Sequence, residues 1–346
     1  MEAVKTPVTV LRPRQDARGV GPVHMLERGP RSGPFSIGRP QGPRARISSP
    51  PVTWEPELEE LRRREELARR MGGEERVARQ HQSGRLDVRE RIERLFDAGT
   101  FHETGAIAGR ADYDGDGELT GFLPANMVVG QGRIDGRRAV VQGDDFTVRG
   151  GAADAAIWQK MVFAERMAHD LRMPIVRLVD GTGGGGSVKQ LETMGYTYVP
   201  FVPGWELVVE NLSLVPVVAA ALGPVAGLGA ARVAASHFSV IVRGTAQMFV
   251  AGPPVVAAAM GETPDKEELG GARIQTHAGA IDNEAADDDD ALDQLRRFLS
   301  YLPESVWEAP PQVAATDPAD RREEELLSIV PRAARHSYKM RRILEL

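Results

Sequence analysis

Apolar positions along this 346-residue chain follow several rhythms, and each predicts a different element. Residues 56–72 (PELEELRRREELARRMG) are nearly all charged, with leucines at 58, 61 and 67 forming a thin helical stripe. A helix this polar buries little by itself, so it is expected to lie as an arm on a partner or another domain. Residues 87–97 (DVRERIERLFD) predict a second helix, with Asp87 as its N-cap and Gly99 as a stop. Between Asn126 and Asp144, two apolar runs flank Asp135-Gly136, a pair that favours positive φ at both centres of a tight turn and predicts a hairpin. Downstream, a helix is expected at 152–172, a buried strand at 174–180 and a further helix opening near 187 after a glycine-rich turn. Short apolar strands follow at 215–222, 238–243 and 247–250, each ahead of a Gly- or Pro-marked turn and a stretch of small residues. Continuous apolar strands alternating with helices imply an α/β domain with both sheet faces covered.

Charge changes the picture at the two ends. The first fifty residues hold Lys5 and eight arginines against three acidic residues, a net of +6 in a chain whose total is −6. Prolines and glycines lace this segment, so residues 1–53 are expected to be a disordered basic leader, and the prolines forbid the amphipathic helix of a transit peptide. No aromatic residues interleave its arginines as stacking on nucleic acid would require, so no nucleic-acid partner is expected. From Leu302 the chain turns Pro-rich and charged (302–325), which reads as a linker with too few residues beyond it for a second domain; 306–346 is expected to lead toward a C-terminal domain that this chain lacks. Leu214 to Ala231 is free of charge, but prolines 216 and 224 and glycines 223, 227 and 229 break it, so no membrane span is expected. The chain has no cysteine, which excludes disulfides, a thiol nucleophile and a Cys-built zinc or iron–sulfur centre, and fits a cytoplasmic setting.

Candidate chemistry concentrates in two glycine-rich stretches. DGTGGGGS, from Asp180 to Ser187, lies between a strand and a helix, where free backbone N–H groups can hold a phosphate or a developing oxyanion. No Gly-Lys-Ser/Thr follows it and it lacks the dinucleotide spacing; against the plainer reading of a flexible turn, the backbone entropy of four consecutive glycines favours a functional one. GPVAGLGAA, from Gly223 to Ala231, follows another buried strand, and either packs closely on a helix or forms a second wall of one pocket. Side-chain candidates are poorer. The seven histidines show no metal-ligand spacing, and no metal is expected in this chain. Asp112-Tyr113-Asp114-Gly115-Asp116-Gly117 opens like a calcium loop, but Leu123 stands where the bidentate Glu belongs, so a solvated acidic turn is expected. Ser187 and Ser236-His237 lack a nucleophile elbow, and the Asp287–Asp290 run reads as a solvated helix start.

Six blocks in order carry a resemblance: GRIDGRRAVVQGDDFTVRGGAAD (132–154), RLVDGTGGGGSVKQLE (177–192), LGPVAGLGA (222–230), MFVAGPPVV (248–256), ELGGARI (268–274) and RRFLSYLP (296–303). Over about 56–310 the chain resembles the carboxyltransferase (beta) subunit of biotin-dependent acyl-CoA carboxylases, nearest the propionyl-CoA and methylcrotonyl-CoA branches. The resemblance implies a crotonase-like fold of repeated β-β-α units over 54–305, a single carboxyltransferase N-terminal domain with an acyl-CoA cleft. It implies transfer of CO2 from carboxybiotin to the α-carbon of an acyl-CoA through an enolate held by backbone N–H groups. Biotin would ride on a separate carrier protein. The implied partners are a biotin carboxylase and biotin carboxyl carrier subunit, a C-terminal carboxyltransferase domain on another chain, and further copies of this chain. On the family pattern, the catalytic oxyanion hole falls on Gly183 and Gly184, with Gly185 beside them. Gly227 and Gly229 match its small-residue turn, and Arg149 and Gly150 would meet the phosphates of CoA. Leu228 replaces one family glycine, and Gln275 stands where many members have His, so His277 receives no role. A decarboxylase running the same chemistry backwards, and a CoA-binding scaffold without full activity, are the alternatives.

Overall fold

The computed structural model describes residues 53–151, 155, 157–181 and 204–346. The leader expected at 1–53 therefore lies almost wholly outside the described residues, as do Gly183, Gly184, Gly185, Ser187 and the helix expected near 187. Three helices come first: α1 (Glu55–Arg69), α2 (Glu74–Gln82) and α3 (Val88–Leu95). Strands β1 (His102–Thr104), β2 (Gly109–Tyr113), β3 (Leu119–Pro124), β4 (Met127–Ile134) and β5 (Arg137–Asp144) follow. The alternating part runs α4 (Trp158–Leu171), β6 (Ile175–Val179), α5 (Trp205–Leu214), β7 (Val217–Ala221), β8 (Pro224–Ala226), α6 (Leu228–Ala234), β9 (Phe238–Val242) and β10 (Gln247–Phe249). It closes with α7 (Pro253–Met260), α8 (Lys266–Gly270), α9 (Ala272–His277), β11 (Asn283–Ala285) and α10 (Asp288–Ser300). Two short helices, α11 (Leu326–Ile329) and α12 (Met340–Glu345), lie in the C-terminal segment.

Seven strands form the main sheet in the order β1-β4-β5-β6-β7-β9-β11. The β4–β5 hairpin forms where the alternation predicts it. Ile134 faces Arg137, and Asp135 (φ 49°) and Gly136 (φ 79°) make the two-residue turn. From β5 onward the strands are parallel, and β6 and β7 are buried along their whole length, which explains why they read as unbroken apolar runs. Neighbouring residues serve opposite faces. Val140, Ile175 and Val217, aligned across three strands, pack with Ala164, Met167 and Ala168 of α4. Their successors Val141, Val176 and Val218 belong to the larger core, which holds Ile92 and Leu95 of α3 and Leu292, Leu295 and Leu299 of α10. Two units repeat a pattern: β7 and β9 each run into a short strand, β8 or β10, and then a helix. Strands β8 and β10 pair in parallel as a small second sheet.

Several expectations change. The polar α1 lies against the β2–β3 hairpin of its own chain, where the Tyr113 hydroxyl donates to Glu60 Oε1 at 2.8 Å. Leu58 and Leu61 stay exposed, so only part of the stripe is used. Helix α2 has no counterpart in the periodicity, because Val77 is its only strongly apolar side chain. The aspartate run at 287–290 is not simply a solvated start. Asp287 caps α10 by accepting the N–H of Asp290, but Asp288 is buried and paired with Arg91. At the C-terminal end, Ser305 is buried, the Val306 N–H donates to the Leu214 carbonyl and the Arg172 guanidinium stacks on Trp307 at 4.0 Å. Beyond them, residues 309–346 are mostly exposed, and Arg342 pairs with Glu325 at 2.6 Å.

Candidate functional site

The carboxyl ends of β5, β6 and β7 lie side by side, where parallel sheets present their loops to ligands. Strand β6 ends at Asp180, which is fully buried. Its carboxylate accepts from Arg91 Nη1 at 2.8 Å and Arg85 Nη1 at 3.0 Å, and its backbone N–H donates to Asp144 Oδ2 at 3.3 Å. Arg91, one turn before the end of α3, also donates to Asp288 Oδ2 at 2.8 Å and to the Leu222 carbonyl at 3.1 Å. Burial by itself would lower the Arg91 pKa, but the two facing carboxylates outweigh it and raise the value. One arginine therefore ties the ends of β6 and β7 to the start of α10.

The two glycine-rich stretches meet at Gly181. A Cβ on Gly229 would stand 2.7 Å from the Gly181 carbonyl oxygen, and the Ala226 N–H donates to that same oxygen at 3.4 Å. A Cβ on Gly223 would come within 2.0 Å of Asp180 Oδ1, so only glycine fits there. Gly227 has φ 58° and ψ −120°, and its N–H is taken by the Phe249 carbonyl at 3.1 Å. Gly227 and Gly229 therefore shape the backbone of this turn.

Beside these ends, the turn after β5 opens onto a cavity of about 540 Å³. Arg76, Arg79, Arg85, Phe146, Arg149 and Gly150 are among its lining residues. Arg76 and Arg79 are three residues apart on α2 and so share a face. The Arg85 guanidinium lies over the Phe146 ring at 5.0 Å. Arg149, Gly150 and Gly151 all have positive φ (58°, 62° and 71°), which coils the turn tightly. Its start is pinned by Asp145 Oδ1, which accepts from the Thr147 N–H at 2.9 Å and the Thr147 hydroxyl at 2.6 Å. Burial pushes the Asp145 carboxyl up to about 6, against the Thr147 hydrogen bonds that favour its charged form. Four guanidinium groups around an aromatic ring suit a ligand that carries several phosphate charges and a flat group.

The other sequence candidates resolve into local structure. His237 Nδ1 accepts the Val217 N–H at 3.0 Å while Nε2 donates to the Leu212 carbonyl at 2.8 Å, so both ring nitrogens are used. Ser236 donates to the Val233 carbonyl at 2.7 Å. Asp114 Oδ1 accepts the N–H groups of Asp116 and Glu118, closing the acidic turn between β2 and β3. The Gln275 amide donates to the Met248 carbonyl at 2.8 Å. Sequence spacing did not suggest that His81, Asp87 and Glu90 would gather, yet their ligand-capable atoms lie within 4.8 Å of one another. Asp87 and Glu90 there form the capping box of α3. Among the described residues, no helix is long and apolar enough to cross a membrane.

The strand-turn-helix units and the loops at their carboxyl ends define a crotonase-like α/β domain of the carboxyltransferase class. The Carboxyl transferase domain model matches residues 79–346, and the chain belongs to this family. It is 33% identical over 296 residues to the propionyl-CoA carboxylase carboxyltransferase subunit of Haloferax mediterranei, covering 85% of this chain and 56% of that protein. It is 31% identical over 278 residues to the methylmalonyl-CoA decarboxylase subunit alpha of Veillonella parvula, covering 79% of this chain and 53% of that protein. Among solved structures it is similar to the transcarboxylase 12S hexamer assembly with methylmalonyl-coenzyme A and methylmalonic acid bound. That match has TM-score 0.67 and 30% identity, and covers 85% of this chain and 56% of that one. It is also similar to the geranyl-CoA carboxylase beta subunit of P. aeruginosa, with TM-score 0.53 and 25% identity over 84% of this chain and 51% of that one. The chain spans about half the length of the curated relatives it matches.

Proposed function

We propose that this chain provides the acyl-CoA side of a biotin-dependent acyl-CoA carboxyltransferase. The observation that carries this reading is the arginine-lined cavity beside the meeting point of the two glycine-rich turns. Arg76, Arg79 and Arg149 would face the phosphates of CoA, with Phe146 offering an apolar wall to the adenine. The thioester would then reach the loop that begins at Gly181, where the N–H groups of Gly183 and Gly184, with Gly185 adjoining, would hold the enolate oxygen. When bound, carboxybiotin on a biotin carboxyl carrier would supply the CO2 and accept the α-proton; no described residue is assigned to it. A biotin carboxylase, a C-terminal carboxyltransferase domain and a homo-oligomeric assembly complete the proposed complex, in the cytoplasm and without nucleic acid. The similarity to a methylmalonyl-CoA decarboxylase subunit favours one second reading, the same enolate reached by loss of CO2.

Calorimetric titration with propionyl-CoA and with CoA tests the binding half. The Arg76→Gln/Arg79→Gln double variant is expected to weaken both by about a hundredfold, each of the two lost charge-assisted contacts contributing about 1.5 kcal/mol. Equal affinity in the variant would move the phosphates elsewhere. For the chemistry, the assembled enzyme is assayed with biotinylated carrier, and Gly184→Val is expected to lower turnover by about a hundredfold or more while leaving CoA affinity unchanged. Undiminished turnover would remove that loop from the oxyanion hole. Product analysis with propionyl-CoA and with methylmalonyl-CoA separates the two directions.

A further inference from the structure

Behind the site stands an ion pair between Asp144, inside the 132–154 block, and Arg232, two residues past the 222–230 block. Asp144 ends β5, and Arg232 lies on α6, three residues beyond Gly229. Both are buried, and they meet through one contact, Arg232 Nη2 to Asp144 Oδ2 at 2.5 Å. That same carboxylate oxygen accepts the backbone N–H of Asp180 at 3.3 Å. The Arg232 carbonyl in turn accepts Arg177 Nη1 of β6 at 3.1 Å. One oxygen atom therefore joins the strand that leads into the Arg149 turn, the residue before the glycine loop, and the helix after the Gly227–Gly229 turn.

The pair is costly as a stabilising device. Asp144 Oδ1, Arg232 Nε and Arg232 Nη1 are all buried and find no hydrogen-bond partner among the described residues. An ion pair taken out of water and left this incompletely bonded holds a fold no better than two apolar side chains of the same volume. What apolar side chains cannot do is fix the Asp180 backbone N–H relative to α6. A bond of defined length and direction does so, one residue before Gly181, whose carbonyl meets Ala226 and Gly229.

Resting on the carboxyltransferase reading, we propose that Asp144 and Arg232 are positioning residues: the pair sets the spacing between the Asp180-Gly181 backbone and the Gly227–Gly229 turn. They act through the backbone that faces the acyl thioester and do not touch it. The test is Asp144→Leu/Arg232→Met in the assembled enzyme, a change that leaves no lone buried charge. It is expected to melt no lower than the natural protein and to bind acyl-CoA with KM within about threefold, while kcat falls by about a hundredfold, the cost of an ångström-scale misplacement. Amide hydrogen exchange at 180–181 and 226–232 is expected to quicken by about tenfold, with β6 and β7 unchanged. A folded double variant with unaltered kcat and unaltered exchange overturns the proposal. If the natural enzyme itself neither carboxylates nor decarboxylates acyl-CoA, the functional reading fails, and the exchange measurement, which needs no turnover, still decides the positioning role. Should the double variant not fold, Arg232→Lys and Arg232→Gln are compared. Retained kcat and exchange in the lysine variant, with loss in the glutamine variant, supports the pair, and equal behaviour in both overturns it.

Discussion

Asp145 is the residue whose environment makes the clearest demand on pH. Its carboxyl is raised to about 6 from an ordinary value of 3.8, mainly by burial. The folded state therefore holds a proton that the unfolded chain has already released, and stability falls as pH rises from about 4 to about 6, by about 3 kcal/mol in all. Asp145→Asn keeps an oxygen to accept from Thr147 and removes the titration. Melting temperature followed from pH 4 to 7 is expected to slope downward in the natural protein and to flatten in the variant; parallel curves would place the raised carboxyl elsewhere. The same turn carries Arg149 and Gly150, so the charge state of one buried side chain bears on the geometry of the cavity wall. None of this was legible locally. Nothing beside Asp144-Asp145 in the chain signals that both are buried.

At the scale of elements, α3 connects the core to the site. Ile92 and Leu95 face the larger apolar core while Arg91, on the same helix, reaches Asp180 and Asp288. Its start is secured by Asp87, whose side chain accepts the N–H groups of Arg89 and Glu90 while Glu90 returns a bond to the Asp87 N–H. Asp87→Ala is expected to lower stability to urea by about 1 kcal/mol, the ordinary worth of an N-cap. A larger loss, with weaker CoA binding, would show that the cap also sets the position of Arg91. This helix was readable from DVRERIERLFD, because a cap, a period and a stop all lie within a dozen residues. Helix α2 was not, since its role is to carry arginines to a cavity and not to bury a stripe. The partners of α1 were misjudged for a related reason: a stripe of leucines says that a helix lies on something, and the fold supplied the β2–β3 hairpin.

In the molecule as a whole, the described residues build one seven-stranded sheet with helices on both faces, two small two-stranded sheets and a set of strand-end loops. Strands β4 to β7, β9 and β10, the hairpin turn and the α/β alternation follow from the sequence alone, because each depends on side chains within a few positions of one another: continuous Val, Ile and Ala runs, Asp-Gly at a turn, glycine after a strand. The short strands β1, β2, β3, β8 and β11 carry no such local run, and their pairing partners decide them. Six ordered motifs likewise carry the family in the sequence alone. Tertiary structure alone decided which charges are buried. Arg91 finds Asp288 across 197 positions, and Arg232 finds Asp144 across 88. It also decided that Arg76 and Arg149 line one cavity and that Gly229 lies against Gly181. Burying a charge is tolerable only where a counter-charge arrives from elsewhere in the chain, and no local pattern records which element will bring it.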